Sequence, residues 1–170
     1  DKTDSTSAGV RRIELRQTGH EPLDPEDELP PEHDPWHSVL YSAAKDWAEV
    51  ASPLSSHYDQ TSPVPASWLP DVDAIRSQYS DLSQRAFAAL RLVQNKVRYV
   101  GVEVGKGGYF ARDPALVVSQ GFGDCKDKAV LLVTVLRALG IEADVALADL
   151  DRGYGLGSHI PSPSAFNHMI

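Results

Sequence analysis

The apolar positions of the chain change their spacing several times, and each spacing predicts a helix or a strand. Trp47, Val50, Ala51 and Leu54 recur at i, i+3, i+4 and i+7, which places them on one face of a helix. A second helical stripe runs over residues 81–96, where leucine, alanine, phenylalanine and valine recur every three or four positions. The chain therefore contains at least two amphipathic helices, and Ser80 is the expected N-cap of the second.

A third helix is predicted over residues 125–139, and its pattern differs from the other two. Beyond its first turn it is apolar on nearly all sides, and Gly140 follows in the position typical of a helix C-terminus. A helix that is apolar all round is buried in the middle of a domain. We therefore expect this helix to be the central element of the fold, with Cys125 in its first turn.

The remaining apolar segments are short and indicate strands. The segment 98–104 is rich in β-branched residues, and residues 10–16 alternate apolar with charged positions. Strands are also predicted at 141–150 and 166–170. Residues 1–9 are expected to be disordered or a linker, and loops are predicted at residues 21–35, 61–70, 111–124 and 151–165.

The composition of the chain narrows the classes of function. Its 170 residues carry a formal charge of −8, with a pI near 5.1 and 42% hydrophobic residues. One domain of this size can bury a sizeable core. The acidic balance argues against nucleic acid as a partner and against docking on anionic membranes. No apolar run approaches the roughly 20 residues of a membrane span. Residues 21–35, rich in acids and proline and without Lys or Arg, are expected to form an exposed linker.

The only cysteine of the chain is a candidate nucleophile, because a single cysteine cannot form an internal disulfide. At a helix N-terminus, unpaired N–H groups and the helix dipole favour the thiolate, and the same N–H groups can stabilise an oxyanion. Gly121 and Gly123 are expected to allow a tight turn and to leave room for a substrate. Lys126 and Lys128 are expected to be exposed to solvent. Considered alone, Cys125 is also consistent with a small buried hydrophobic residue.

A nucleophilic thiol needs a base within hydrogen-bonding distance, and two histidines lie downstream of Cys125. His159 lies in a loop rich in glycine, serine and proline. His168 lies in an apolar strand, where a polar ring needs a partner. That partner is either the thiol of Cys125 or the carbonyl groups of the core, and the strand pattern fits both. A metal site formed by Cys125 and His168 lacks the second ligand pair that zinc requires.

The run GDCKDKAVLLVTVLRALGIEADVALA resembles the nucleophile helix and following strand of bacterial transglutaminase-like proteins. In that family Gly-Asp-Cys opens the helix and a later strand carries Asn-His, which correspond here to Gly123-Asp124-Cys125 and Asn167-His168. The segment VRYVGVEVGKGGYFARDPALVV is similar to a subgroup with an N-terminal β-rich domain. The resemblance implies a papain-like α+β core at 38–170, preceded at 1–37 by the tail of the β-rich domain and the linker.

The resemblance also implies a function. It assigns Cys125 and His168 as catalytic residues and Gly123 and Asp124 as residues that shape the oxyanion site. The activity would be cysteine-dependent acyl transfer on protein or peptide amides, with no cofactor and no metal. The family's third catalytic residue, an Asp, is expected beyond Ile170 in a longer polypeptide with further domains, in a periplasmic or membrane-associated bacterial protein. The alternative is a non-catalytic peptide-binding module with the same fold.

Overall fold

The structure is a computed structural model, and it describes residues 1–19, 23–30, 33, 35–36, 38–58, 62–101, 105–151 and 153–170. Its helices are α1 (Trp47–Tyr58), α2 (Leu69–Gln78), α3 (Leu82–Lys96), α4 (Pro114–Gln120) and α5 (Cys125–Ala138). Its strands are β1 (Lys2–Ser7), β2 (Val10–Leu15), β3 (Arg98–Tyr99), β4 (Phe122–Gly123), β5 (Leu147–Ala148) and β6 (His168–Met169). Short 3-10 turns occur at Ala66–Trp68, Gly105–Gly108, Gly153–Ser158 and Pro163–Ala165.

The N-terminal residues form a β-hairpin. Strands β1 and β2 pair antiparallel, with Lys2 opposite Leu15 and Ser7 opposite Val10. The two connecting residues, Ala8 and Gly9, both have positive φ, as a tight two-residue hairpin turn requires. The prediction of a strand at 10–16 is confirmed, whereas the prediction of a linker at 1–9 is wrong. Both strands are exposed along their whole length, so β1 carries no buried apolar residue that would have revealed it.

Helix α1 confirms the predicted stripe and extends it to Tyr58, although Pro53 lies inside the helix. Part of the 21–35 segment lies outside the described residues, and its described residues belong to no helix or strand. The division of the chain at residues 37 and 38 remains a prediction. None of the described helices is long and apolar enough to cross a membrane.

The main core lies where α5 packs against its neighbours, chiefly α3 and α4. Its buried residues come from α2, α3, α4, α5 and the segments beside them: Trp68, Val72, Ile75, Ala89, Val93, Val97, Val117, Leu131, Val135 and Leu139. Helix α5 also contributes Cys125 and Ala129 to a second, smaller buried cluster, which confirms that this helix is the central element. Full burial of a leucine or valine side chain contributes roughly 1.5–3 kcal/mol, so the main core holds α5 firmly in place.

The helix ends show where capping agrees with the sequence pattern and where it does not. The N-cap of α3 is Asp81, whose side chain accepts a hydrogen bond from Gln84 N at 2.9 Å, so the expectation of Ser80 was one residue early. Helix α4 lies in the segment predicted as a loop, with Asp113 as its N-cap and Pro114 at its start. Gly140 has a φ of 81°, which confirms its role after the last turn of α5.

The strands of the core form two small sheets. Strands β3 and β4 pair in parallel, and β5 and β6 pair antiparallel, with Ala148 opposite His168. Strand β6 also packs on α5. The structure thus confirms the α+β class and the antiparallel pair beside the central helix. The described strands are shorter than predicted, and residues 102–104 of the predicted strand at 98–104 lie outside the described residues.

Candidate functional site

Cys125 is the first residue of α5, directly after β4 and the cap residue Asp124. Its side chain is buried, with 7% of its surface exposed, and it forms no disulfide. Cys125 packs with Tyr58, Ala129 and Met169 in the second, smaller cluster. This packing fixes the sulfur at the N-terminal end of the central helix, as the sequence predicted.

A capping box surrounds Cys125. The Asp124 carboxylate accepts hydrogen bonds from Lys126 N at 3.0 Å and Asp127 N at 3.3 Å, and Asp127 Oδ2 accepts one from Asp124 N at 3.0 Å. The first i to i−4 bond of the helix runs from Lys128 N to the Asp124 carbonyl. Within the described part of the chain, the Cys125 N–H donates to no acceptor. The cap therefore satisfies the neighbouring N–H groups and leaves the N–H of the nucleophile candidate available to a ligand.

Two ion pairs are formed by the buried carboxylates of the capping box. Lys126 Nζ lies 3.1 Å from Asp124 Oδ2, and these side chains are 8% and 1% exposed. Arg112 donates to Asp127 twice, through its backbone N and its guanidinium, each at 2.7 Å. The expectation that Lys126 is exposed to solvent is wrong, because the fold turns its side chain towards the carboxylate of the cap. Each buried carboxylate beside Cys125 is thereby paired with a cation, as burial requires.

Lys128, also expected to be exposed, is half-buried. Its ammonium donates to the Val97 carbonyl at 2.6 Å, which ties α5 to the end of α3. Burial lowers the pKa of Lys128, because a buried ammonium loses hydration.

The two glycines before Cys125 act in different ways. Gly121 has a φ of 70° and ends α4 in the left-handed conformation. Gly123 has no such φ and is needed for space, since a Cβ there would lie 2.7 Å from Asp127 Cβ and 3.2 Å from Val117 Cγ1. The expectation of a tight turn thus fits Gly121, whereas Gly123 allows β4 to approach the capping box.

His168 lies in β6 and lines the same cavity as Cys125. The cavity has a volume of about 300 Å³. It is lined by Leu54, Tyr58, Gly108, Tyr109, Cys125, Lys126, Leu147, Pro163, Phe166, Asn167, His168 and Met169. Among the described residues, no hydrogen bond or ion pair of the His168 ring is found. The fold therefore places the cysteine and the histidine that the sequence pointed to around one space large enough for a small ligand group. Among the described residues, the ring has neither the thiol nor the carbonyl partner that its position in an apolar strand led us to expect.

The residue before His168 is fixed by the neighbouring turn. Asn167 Nδ2 donates to Asp151 Oδ2 at 2.6 Å, and Asn167 Oδ1 accepts a hydrogen bond from Leu150 N at 2.9 Å. These contacts anchor the start of β6.

His159, the other candidate base, has its Nδ1 2.8 Å from the Ile160 carbonyl oxygen, so its ring is engaged within its own loop.

Tyr58 is a residue of the site that the sequence pattern did not bring to attention. Its hydroxyl donates to the Tyr109 carbonyl at 2.7 Å, and the residue lines the Cys125 cavity. Burial raises the pKa of Tyr58, although a hydrogen bond with the Ala111 backbone and the charge of Lys126 act in the opposite direction. The signal was present in the sequence, because Tyr58 continues the α1 stripe four residues after Leu54.

A comparison with protein-family models matches residues 72–160 to the transglutaminase-like superfamily, slightly more than half of the chain. The chain belongs to this superfamily. The superfamily generally covers cysteine-dependent acyl transfer or protease activity. In this transglutaminase-like chain the match includes Cys125 and the capping box and ends before His168. No curated protein and no solved structure matches the chain. Among the described residues, no group of three or more His, Cys, Asp and Glu is placed to hold a metal ion.

Proposed function

We propose that Cys125 and His168 form the nucleophile and base of a cysteine-dependent acyl-transfer site that acts on amide bonds of peptides or proteins. The observation that carries this proposal is the shared cavity of about 300 Å³, which is lined by both residues. A nucleophile and a base must face one reacting group, and a common cavity is the space in which a carbonyl group can meet both.

The environment of the sulfur supports the same function. Cys125 is at the N-terminus of a 14-residue helix, where the helix dipole favours a thiolate over a thiol. The Cys125 N–H has no acceptor in the described part of the chain. An N–H at this position is suited to donate to the oxygen of a tetrahedral intermediate formed on its own sulfur. Asp124 and Gly123 then shape the oxyanion site indirectly, Asp124 by capping the helix and Gly123 by admitting the cap.

The reaction follows from these positions. The thiolate of Cys125 attacks the carbonyl carbon of an amide, a C–S bond forms, and the carbonyl electron pair moves to the oxygen, which accepts a hydrogen bond from the Cys125 N–H. When the intermediate collapses, the C–N bond breaks and His168 gives a proton to the leaving amine. Water or a second amine then attacks the thioester, gives its proton to His168 and releases the thiolate. Water produces hydrolysis, and an amine produces transamidation.

The rate at which iodoacetamide alkylates Cys125 at pH 7 tests the pair without a known substrate. We expect His168→Ala to slow alkylation at least about fivefold, because loss of an imidazole partner should exceed the ~1 kcal/mol upper range of a helix terminus alone. His159→Ala is the matched control and should alkylate like the parent. Since the chain has one cysteine, the intact mass reports only this site.

The same measurement separates the proposal from its alternative. A peptide-binding module that keeps the fold would need no reactive thiol. Equal alkylation rates in the parent, His168→Ala and His159→Ala would mean that no Cys125–His168 pair exists. That result would favour the peptide-binding module over the acyl-transfer site.

A further inference from the structure

A second cavity adjoins the one at Cys125. Its volume is about 490 Å³. The two cavities share four lining residues: Leu54, Tyr58, Leu147 and Phe166. Because they have these walls in common, a molecule that reaches the sulfur of Cys125 is directly beside the second space.

The walls of the second cavity are mostly apolar, with Ser55 and Asp144 among the lining residues. Helix α1 forms one side with the face that begins at Trp47 and ends at Tyr58. The segment from Asp144 to Leu147 and the ring of Phe166 form the other side. The rings of Trp47 and Phe166 meet edge to face at a centroid distance of 5.6 Å. This contact joins the two sides of the cavity through rigid aromatic surfaces.

The second cavity is unfavourable for a charged substituent. Among its lining residues Asp144 alone carries a charge, and its carboxylate is paired with Arg137 at 2.6 Å. The Asp144 side chain is also 79% exposed, so its charge is screened by water. A charged substituent in this space would lose its hydration without gaining a partner of opposite charge. A neutral apolar group has no such hydration to lose. The volume falls in the range of about 300–1,000 Å³ that is typical of ligand sites.

Helix α1 shows how far the second cavity extends from the residues that it shares with the Cys125 cavity. Leu54 and Tyr58 line both cavities, whereas Trp47, Val50 and Ala51 line only the second. Trp47 precedes Leu54 by about seven helical residues, a length of about 10 Å at 1.5 Å per residue. A group that fills the second cavity therefore extends over a distance of about 10 Å from the residues that both cavities share. This distance suits the side chain of a neighbouring residue in the same peptide.

We propose that the second cavity is a specificity pocket, which receives an aromatic or long aliphatic side chain adjacent to the residue whose carbonyl Cys125 attacks. The proposal rests on the function proposed above and adds the class of substrate: peptides with a large, neutral, apolar residue beside the reacting amide. Charged side chains of the same length are excluded from this pocket. Because α1 supplies the longest wall, α1 determines which substrates react.

Three chloroacetamides provide probes that need no known substrate. In each, the thiolate of Cys125 displaces chloride and forms a C–S bond, and the amide nitrogen carries a methyl, a 2-phenylethyl or a 2-carboxyethyl group. Each labelling rate is divided by the rate of the same reagent with glutathione, which removes differences in intrinsic reactivity. We expect the phenylethyl reagent to label Cys125 on the order of tenfold faster than the methyl reagent, since burial of a phenyl group is favourable by this order. The carboxyethyl reagent should have no advantage over the methyl reagent.

A variant that fills the pocket tests whether the preference arises there. Ala51 is an exposed residue of α1 that lines the second cavity and not the first, so Ala51→Phe places a ring in the pocket without opening a void in the core. Ser52, the next residue of the helix, is also exposed and is not a lining residue of either cavity, which makes Ser52→Phe the matched control. The phenylethyl preference should fall to within about twofold of methyl in Ala51→Phe and remain in Ser52→Phe. Ser55→Phe, at a second exposed lining position, replaces Ala51→Phe if that variant does not fold.

The possible results separate the pocket from the function on which it rests. If Cys125 reacts with the methyl reagent in a manner that depends on His168 but shows no phenylethyl preference, the pocket proposal is overturned and the proposed function stands. A preference that persists in both filling variants also overturns it, because the ring must then bind elsewhere. If no reagent labels Cys125 faster than glutathione, the proposed function and the pocket proposal fail together.

Discussion

Replacing Gly123 with alanine perturbs the candidate site through a single methyl group. The new Cβ would lie 2.7 Å from Asp127 Cβ, 3.0 Å from Asp127 Oδ2 and 3.2 Å from Val117 Cγ1. Asp127 cannot move away freely, because its carboxylate holds Arg112 and the N–H of Asp124. The substitution must therefore shift β4 or break half of the capping box.

The expected cost can be estimated from these contacts. Overpacking of a tight site costs about 1–3 kcal/mol, and loss of one capping interaction adds about 1 kcal/mol. Alanine lowers the entropy of the unfolded chain, which offsets about 0.4–1 kcal/mol, and Gly123 has no positive φ that would oppose this gain. Gly123→Ala should therefore lower the free energy of unfolding by about 2 kcal/mol.

Urea unfolding followed by circular dichroism measures this change. Gly157→Ala is the matched control, because a Cβ at Gly157 meets nothing within 4 Å and that residue also lacks a positive φ. The control should be neutral or slightly more stable. If Gly123→Ala unfolds at the same urea concentration as the parent, Gly123 has a role other than the close packing described here.

Two further substitutions test the charges around α5. Asp124→Ala removes the cap of α5 and one ion-pair partner of buried Lys126, so it should cost about 3 kcal/mol in urea unfolding, whereas Asp81→Ala at the exposed cap of α3 should cost about 1 kcal/mol. Similar losses in the two variants would contradict the buried ion pair. Lys128→Met tests the lowered pKa of Lys128, whose ordinary value is 10.5. Between the lowered value and 10.5 the unfolded chain binds more protons than the folded one, so the parent should gain stability relative to Lys128→Met as the pH rises through that range. A constant difference over that range would contradict it.

Much of the scaffold of the site was predictable from the chain alone. The all-round apolar pattern of residues 125–139 predicted the central helix, and the Gly-Asp-Cys run predicted that the cysteine opens it. The capping box was also visible in principle, because Asp124 and Asp127 have the spacing of a reciprocal cap. Helix α4 was missed, although Asp113 followed by Pro114 is a typical helix start.

The parts that could not be predicted depend on contacts between distant segments. Lys126 looks like a surface lysine in the sequence, and its burial follows from the fold around the Asp124 carboxylate. Arg112 reaches Asp127 across 15 residues. The second cavity forms because α1 packs near Phe166, which lies far along the chain. The local sequence pattern does not predict such a contact.

Acylation of Cys125 tests the central claim most directly. Mixing the protein with p-nitrophenyl acetate should give a burst of p-nitrophenolate that approaches about one equivalent, followed by slow turnover. Intact mass should show one acetyl group that neutral hydroxylamine removes, as expected of a thioester. Cys125→Ala should show no burst, and His168→Ala should show a slower one. A burst of equal size and rate in Cys125→Ala, or the absence of a thioester in the parent, would contradict a nucleophilic role for Cys125.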